Sequence, residues 1–389
     1  MSTTKPKVAF VTGANGISGN AIVEHLIRTP KTEWSKIIIT SRSPLKGYWQ
    51  DPRVEFIALD FLEPVETIVS KMAPYCHDVT HAYYASYVHT DDFARLKVLN
   101  VPLFENFLTA IDQVARNTLQ RVCLQTGGKH YGAHLGPVKQ PCSEEHPRYD
   151  DNGDNFYYPQ EDFMFAMQKD RNWTYNIIRP NAIIGFTPGG NGMSEALTLA
   201  LYFLICRETG EFPRFPGNQF FYTCPDDNSY APSLADLSVW ATTTSAAANE
   251  AFNHVNGDTF VWRYFFPRIG NYFGLEVPET TKFGATGEAG VKTENEFKMG
   301  EWAADKKPVW EEICRKHGGN PEAFNWGTWG FFDWAIGKAW PTVSSVTKAR
   351  KFGWNRYDDT YESWIETFRS FENAGILPRN GGKTVPLNI

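Results

Sequence analysis

Lys7-Val-Ala-Phe-Val-Thr12 runs directly into Gly13-Ala-Asn-Gly16-Ile-Ser-Gly19, and from Ile17 to Arg28 the apolar residues recur at helical spacing. The first run is β-branched and aromatic, as a buried strand requires. The second sets Ile17, Ala21, Ile22 and Leu26 along one face. In a strand, glycine turn and helix in direct succession, the unpaired N–H groups of the helix start face a diphosphate. Gly13 permits the tight turn, Gly16 lets backbone approach the phosphates, and Gly19 lets the helix pack close to the strand. Asn15 and Ile17 belong to the same contact loop. A merely flexible turn leaves all three glycines unexplained. The segment predicts dinucleotide binding.

Working outward, further strands read at Ile37–Ser41, Val54–Leu59, His81–Ala85, Arg121–Thr126 and Tyr175–Arg179. Helical segments read at about Phe93–Ala115 and at Pro159–Lys169, where a proline in the first turn costs no hydrogen bond. Strands that are continuous apolar runs, alternating with helices, predict an α/β chain with a doubly wound parallel sheet of the Rossmann type. Its expected extent is residues 1–190, with segments around 225–260 returning to it. After Gly185 glycine, proline and aromatic residues crowd in, and three helices stand out: Leu234–Ala251, Val309–His317 and Tyr361–Asn373. Residues 191–389 are expected to form a smaller, mostly helical substrate-binding region. Phe220, Phe221, Tyr222, Trp326, Trp329, Phe331 and Phe332 suit an apolar pocket there, and suit a core equally well.

The 389 residues carry a net charge of −6, which disfavours nucleic acid as a partner. No stretch approaches the roughly 18–20 apolar residues of a membrane span, and Leu197–Cys206 is too short. Residues 1–13 lack the apolar run of a signal peptide, and Pro386-Leu-Asn-Ile389 matches no targeting tail. The six scattered cysteines contain no CxxC pair, so reduced thiols of a cytoplasmic protein are expected, without a metal site. The oligomeric state stays open, a homodimer included.

Cofactor choice is read at the end of the second strand, Thr40-Ser41-Arg42-Ser43. An acidic residue there would accept from a ribose 2′-OH. Arg42 instead suits a 2′-phosphate, which points to NADP(H). Asp60-Phe61, after the third strand, sits where such folds contact adenine, although a structural carboxylate beside a core aromatic reads as well. Short-chain dehydrogenases usually carry YxxxK, which brings a lysine under a catalytic tyrosine. Here Asn155-Phe-Tyr157-Tyr158-Pro-Gln-Glu161-Asp162 puts carboxylates at both candidate positions. The nearest candidate cation is Lys129, in Gln125-Thr-Gly-Gly-Lys129-His-Tyr131, just past the fifth strand.

With these segments the chain resembles the progesterone 5β-reductase and iridoid synthase family, an atypical, extended branch of the short-chain dehydrogenases. Ser41-Arg42-Ser43-Pro44, Arg179-Pro-Asn-Ala-Ile-Ile-Gly-Phe186, Asn249-Glu-Ala-Phe-Asn253, Asn256-Gly-Asp258 and Pro308-Val-Trp-Glu-Glu312 also match. The resemblance implies Lys129 and Tyr157 as the catalytic pair, and adds Ser86, Tyr87, Gln125, Lys129, Tyr157, Pro180 and Ile183 to the cofactor contacts. Tyr158 is expected to point elsewhere than Tyr157, so that its replacement by phenylalanine is mild. The implied reaction is NADPH-dependent reduction of a C=C bond conjugated to a carbonyl, on a small apolar substrate of secondary metabolism. Carbonyl reduction by the same tyrosine is the alternative, and a catalytically silent NADP(H)-binding sensor or scaffold is another. The chain departs from the family pattern at Gly132-Ala-His-Leu-Gly-Pro-Val138, at Ser86-Tyr87 in place of Thr-Trp, and in the glycine-rich Thr187–Gly192 loop. These differences bear on the substrate.

Overall fold

The computed structural model describes residues 5–47, 49–90, 93–150, 152–280, 283 and 293–379, so the Pro386–Ile389 tail and residues 1–4 lie outside the described residues. The chain divides into two compact units. One comprises the chain up to Ile183 with Ala231–Val255 and Ser344–Arg356; the other comprises Ile184–Tyr230, Asn256–Val343 and the chain from Tyr357. The Ser344–Arg356 return is invisible in the sequence pattern.

The first unit runs β1 (Lys7–Val11), α1 (Ile17–Ile27), β2 (Trp34–Ser41), β3 (Val54–Ala58), α2 (Val65–Cys76), β4 (His81–Tyr84), α3 (Phe93–Val114), β5 (Arg121–Gln125), α4 (Tyr157–Gln168) and β6 (Thr174–Pro180). A seventh strand, Glu250–His254, pairs with β6. Across the sheet the order is Glu250–His254, β6, β5, β4, β1, β2, β3, and every pairing is parallel. This is the doubly wound Rossmann arrangement the glycine segment predicts.

Alternation along the strands explains the two layers, because successive side chains leave a strand on opposite faces. Val8, Phe10 and Ile38 enter a core with Ile68 and Met72 of α2, Phe104, Phe107 and Ile111 of α3, and Met164 of α4. Ala9, Val11, Ile37 and Ile39 enter a second core with Ile22 and Leu26 of α1 and with Leu234 and Leu237 of the helix Ala231–Thr243.

That helix corrects the expected one at Leu234–Ala251: it ends at Thr243, and residues 250–254 are strand. After a one-turn helix at Ser245–Ala247, Asn249, at φ 62°, leads into that strand, its N–H donating to the Tyr175 carbonyl and its side chain accepting from the Tyr175 N–H. Pairing with β6 overrides the helical composition of the alanine-rich run that precedes it.

The second unit is mostly helical. Its central helix, α5 (Glu195–Thr209), contains the Leu197–Cys206 run and is buried on all sides as far as Cys206. Trp262, Phe266, Trp310, Trp364 and Phe368 pack in the same core. Of the aromatics read as pocket candidates, Phe221, Tyr222 and Phe332 are core, with Phe220, Trp326 and Trp329 packed against it. Phe331 stacks on Trp334. Among the described residues no helix is long and apolar enough to cross a membrane, and the six cysteines are buried free thiols.

Candidate active site

The site residues lie in the first unit, at the C-terminal edge of the sheet. There the ends of β1 and β4 meet at the reversal of strand order, the place where open α/β sheets bind ligands. Thr12 N–H donates to Tyr83 O (3.0 Å), and Ala85 N–H returns a bond to the Thr12 hydroxyl (3.0 Å). Gly13 has φ +67°, and a Cβ on it would stand 2.7 Å from Ala85 O. A Cβ on Gly19 would lie 2.2 Å from Gly13 O and 2.6 Å from Gly13 C. The loop therefore tolerates no side chain at either place. Gly16 is the N-cap of α1, and no side chain caps the helix start. Its first-turn N–H groups keep the character of an anion site.

Asn15 does more than border the loop. Its amide donates to Ser41 Oγ (2.9 Å), Ser43 Oγ (3.2 Å) and Pro44 O (3.0 Å), and its carbonyl accepts from Lys46 N–H (3.0 Å). It thereby ties the glycine turn to the segment that carries Arg42, which is exposed. Ile17 is buried in the helix core, and Asp60 accepts from the Leu62 N–H (3.0 Å). Phe61 is a core residue, its ring edge-on to Phe107 at 5.5 Å. Gln125, at the end of β5, donates to Ser18 Oγ on α1 (2.7 Å). Its Oε1 and the Thr126 hydroxyl are buried without a hydrogen-bond partner. Two such acceptors beside the glycine loop fit a polar ligand that completes them. Pro180 O lies 3.4 Å from where a Gly127 Cβ would stand, and Ile183 follows at the boundary of the unit.

Lys129 sits on a one-turn helix, Gly128–Tyr131, directly beyond β5. Its ammonium lies 3.5 Å from Tyr87 Oη and 5.8 Å from the centre of that ring. Ser86 and Tyr87 follow the end of β4. Burial pulls the Lys129 ammonium down to about 8 and pushes the Tyr87 hydroxyl up to about 12. Tyr157 opens α4, two residues earlier than the proline suggests, with its N–H held by Asn155 Oδ1 (3.1 Å). A Cβ on Gly127 would stand 3.3 Å from the Tyr157 hydroxyl. Desolvation, with a smaller contribution from Tyr87, raises its pKa well above the ordinary range. The Phe156 ring connects the two tyrosines, 5.8 Å from Tyr87 and 4.4 Å from Tyr157. Lysine and tyrosine thus stand on different elements at one edge, and the Lys129 ammonium reaches Tyr87.

Two features escape a sequence reading. Glu161, which reads as a broken YxxxK, is 2 % exposed and meets His130, Arg179 and Arg148. Tyr158 donates to His130 O at 2.5 Å and accepts from Tyr149 N–H at 2.8 Å, so it is no inert neighbour. The helical spacing of Asn155, Tyr158 and Glu161 is the only sequence signal for either. Among the described residues no cluster of three His, Cys, Asp or Glu is placed to hold a metal ion.

Residues 9–378 match the PRISE-like Rossmann-fold domain. The chain belongs to the PRISE-like family. A PRISE-like protein is an oxidoreductase of the extended short-chain dehydrogenase/reductase superfamily, and three relatives illustrate its range. This chain is 44% identical over 377 residues to a short chain dehydrogenase, gsfE, of Penicillium aethiopicum, covering 96% of this chain and 100% of that one. It is 32% identical over 376 residues to an (S)-8-oxocitronellyl enol synthase of Nepeta cataria, covering 94% and 92%. It is 31% identical over 380 residues to a 3-oxo-Δ(4,5)-steroid 5-beta-reductase of Arabidopsis thaliana, again covering 94% and 92%. The same fold occurs in Bordetella bronchiseptica WbmH, solved in complex with NAD+, with a TM-score of 0.63, 14% identity, and coverage of 95% and 100%.

Proposed function

We propose that this PRISE-like protein is an NADPH-dependent reductase of an α,β-unsaturated carbonyl compound, adding hydride to the carbon β to the carbonyl. The observation that carries the reading is that Lys129 sits on the turn beyond β5 while the Tyr157 hydroxyl lies against Gly127 at the start of that same turn, although YxxxK is absent. The names of two relatives support it: one is a reductase at the 5-position of a 3-oxo-Δ(4,5)-steroid, the other an 8-oxocitronellyl enol synthase.

The glycine loop and the start of α1 would hold the diphosphate, and Gln125 and Thr126 supply acceptors near the reacting end. When bound, the cofactor supplies a hydride. Tyr157 donates a hydrogen bond to the carbonyl oxygen while the C=C electron pair moves toward that oxygen and an enolate develops. The raised pKa of Tyr157 keeps its proton in place at neutral pH, so it acts as a donor. Lys129, protonated below about 8, adds a positive charge near the growing negative one. A proton from water then reaches the α-carbon and gives the saturated carbonyl compound. The test is product identity: turnover removes the conjugated chromophore, whereas a new alcohol with the C=C intact would mark carbonyl reduction.

Arg42 supports NADPH over NADH, being exposed on the segment that Asn15 ties to the glycine turn. NADPH is expected to bind at least ~10-fold more tightly, a gap of only ~1.4 kcal/mol and within the reach of one charge-assisted contact. Arg42→Ala should narrow it by weakening NADPH alone. Equal dissociation constants for the two cofactors in calorimetry would contradict the assignment.

A further inference from the structure

Asn155, just ahead of α4, stands three residues before Tyr158, which stands three before Glu161 on the same face of the helix. Two of them bond the one-turn helix that carries Lys129, and the third meets it through His130 and Arg179. Asn155 Nδ2 donates to Lys129 O (2.7 Å), and Tyr158 Oη donates to His130 O (2.5 Å). Glu161 Oε1 lies 3.2 Å from His130 Nδ1, without good hydrogen-bond alignment, and burial lowers the His130 pKa so that this contact is to a neutral imidazole. The same carboxylate takes Arg179 at 3.3 Å and Arg148 at 3.0 Å, and Arg179 in turn reaches Tyr131 Oη at 3.4 Å. Residues 129, 130 and 131 are thus gripped in succession.

We infer that Glu161 is a positioning residue for Lys129: from the place where a YxxxK enzyme keeps its lysine, the carboxylate holds the turn that brings a lysine in from another element. The inference rests on the catalytic reading proposed above. Asp162, the next residue, is a contrast, since it is 61% exposed and meets only Arg148 among these groups. Stability alone gives little reason for an ion at Glu161. A buried ion pair is roughly balanced against a well-packed apolar substitute, whereas its directional contacts fix geometry. His130, Arg179 and Arg148 together outweigh the burial that would otherwise raise the Glu161 carboxyl, and hold it below its ordinary range. The carboxylate therefore stays charged at neutral pH.

A double-mutant cycle on the full chain tests this, with NADPH and a strongly activated enal so that the lysine variant keeps measurable turnover. Glu161→Gln keeps the shape and removes the charge. It is expected to lower kcat at least ~10-fold in the wild-type background and less than ~2-fold in Lys129→Ala, with NADPH affinity unchanged, because residues that act as a unit are non-additive. Tyr158→Phe removes one hydroxyl and should show the same pattern at ~3- to 5-fold; if Glu161→Gln fails to fold, this second cycle decides. Equal losses in both backgrounds, or no loss of kcat in the wild-type background, overturn the inference and leave the catalytic pair standing. A Lys129→Ala variant with undiminished kcat overturns both.

Discussion

Replacing Tyr157 with phenylalanine is expected to lower turnover by ~10²–10³-fold while changing NADPH affinity less than ~2-fold, because a donor used mainly where charge develops costs rate and not ground-state binding. The hydroxyl is placed for such a role. It sits against the Gly127 backbone, within the Tyr87–Phe156–Tyr157 ring cluster, and among the described residues it has no hydrogen-bond partner of its own. Its donor capacity is therefore not spent inside the protein. The backbone of α4 begins by Asn155 accepting from the Tyr157 N–H, a bond the substitution leaves intact, so the helix start should survive. A more electrophilic substrate needs less help and should lose less. Single-turnover kinetics with a weakly and a strongly activated enone measure this; a variant with unaltered rates on both would remove Tyr157 from the mechanism.

Tyr158 shows where a sequence argument stops short. That adjacent residues at a helix start point in different directions is true of this pair, and Tyr158 is not beside Gly127 as Tyr157 is. Yet its hydroxyl holds the His130 carbonyl, and no local pattern announces a partner 28 residues away. Glu161 follows the same logic. Its position four residues beyond Tyr157 is legible as a missing lysine, but Arg148 and Arg179 enter from a loop and from β6, and only the fold brings them together.

The second large effect concerns Gly19. Alanine there would put a Cβ 2.2 Å from Gly13 O and 2.8 Å from Thr12 O, all backbone atoms of β1 and its turn, which cannot rotate away. Either α1 lifts from the sheet or the glycine turn opens. Both displace the helix start and the Gln125–Ser18 bond that ties it to β5. Gly19→Ala is expected to weaken NADPH binding at least ~100-fold, equivalent to ~2.7 kcal/mol, and to lower the melting temperature, since overpacking a tight contact costs ~1–3 kcal/mol. Gly330→Ala is the control. It lies in the helix Trp329–Ala335 with nothing within 4 Å of its Cβ position, and should be neutral or slightly stabilising. Calorimetry and thermal melts of the two variants separate a local clash from a general intolerance of alanine.

This part of the site was readable because its constraints are local. A strand, three spaced glycines and a helix leave few alternatives, and the alternation of Val8 and Phe10 against Ala9 and Val11 foretells a sheet covered on both faces. The seventh strand was not readable. The alanine-rich run before it reads as helix, whereas the helix stops at Thr243 and the chain enters the sheet just after Asn249, at positive φ and bonded twice to Tyr175. For Phe61 the sequence left two readings open, and its ring packs in the core against Phe107 of α3.

Where the hydride lands is the most direct test of the proposed chemistry. With NADPH carrying deuterium on the transferred position, and an enal or enone as substrate, the product should hold deuterium on the carbon β to an intact carbonyl, with the C=C bond gone. Deuterium on a new carbinol carbon, with the C=C bond retained, would contradict it.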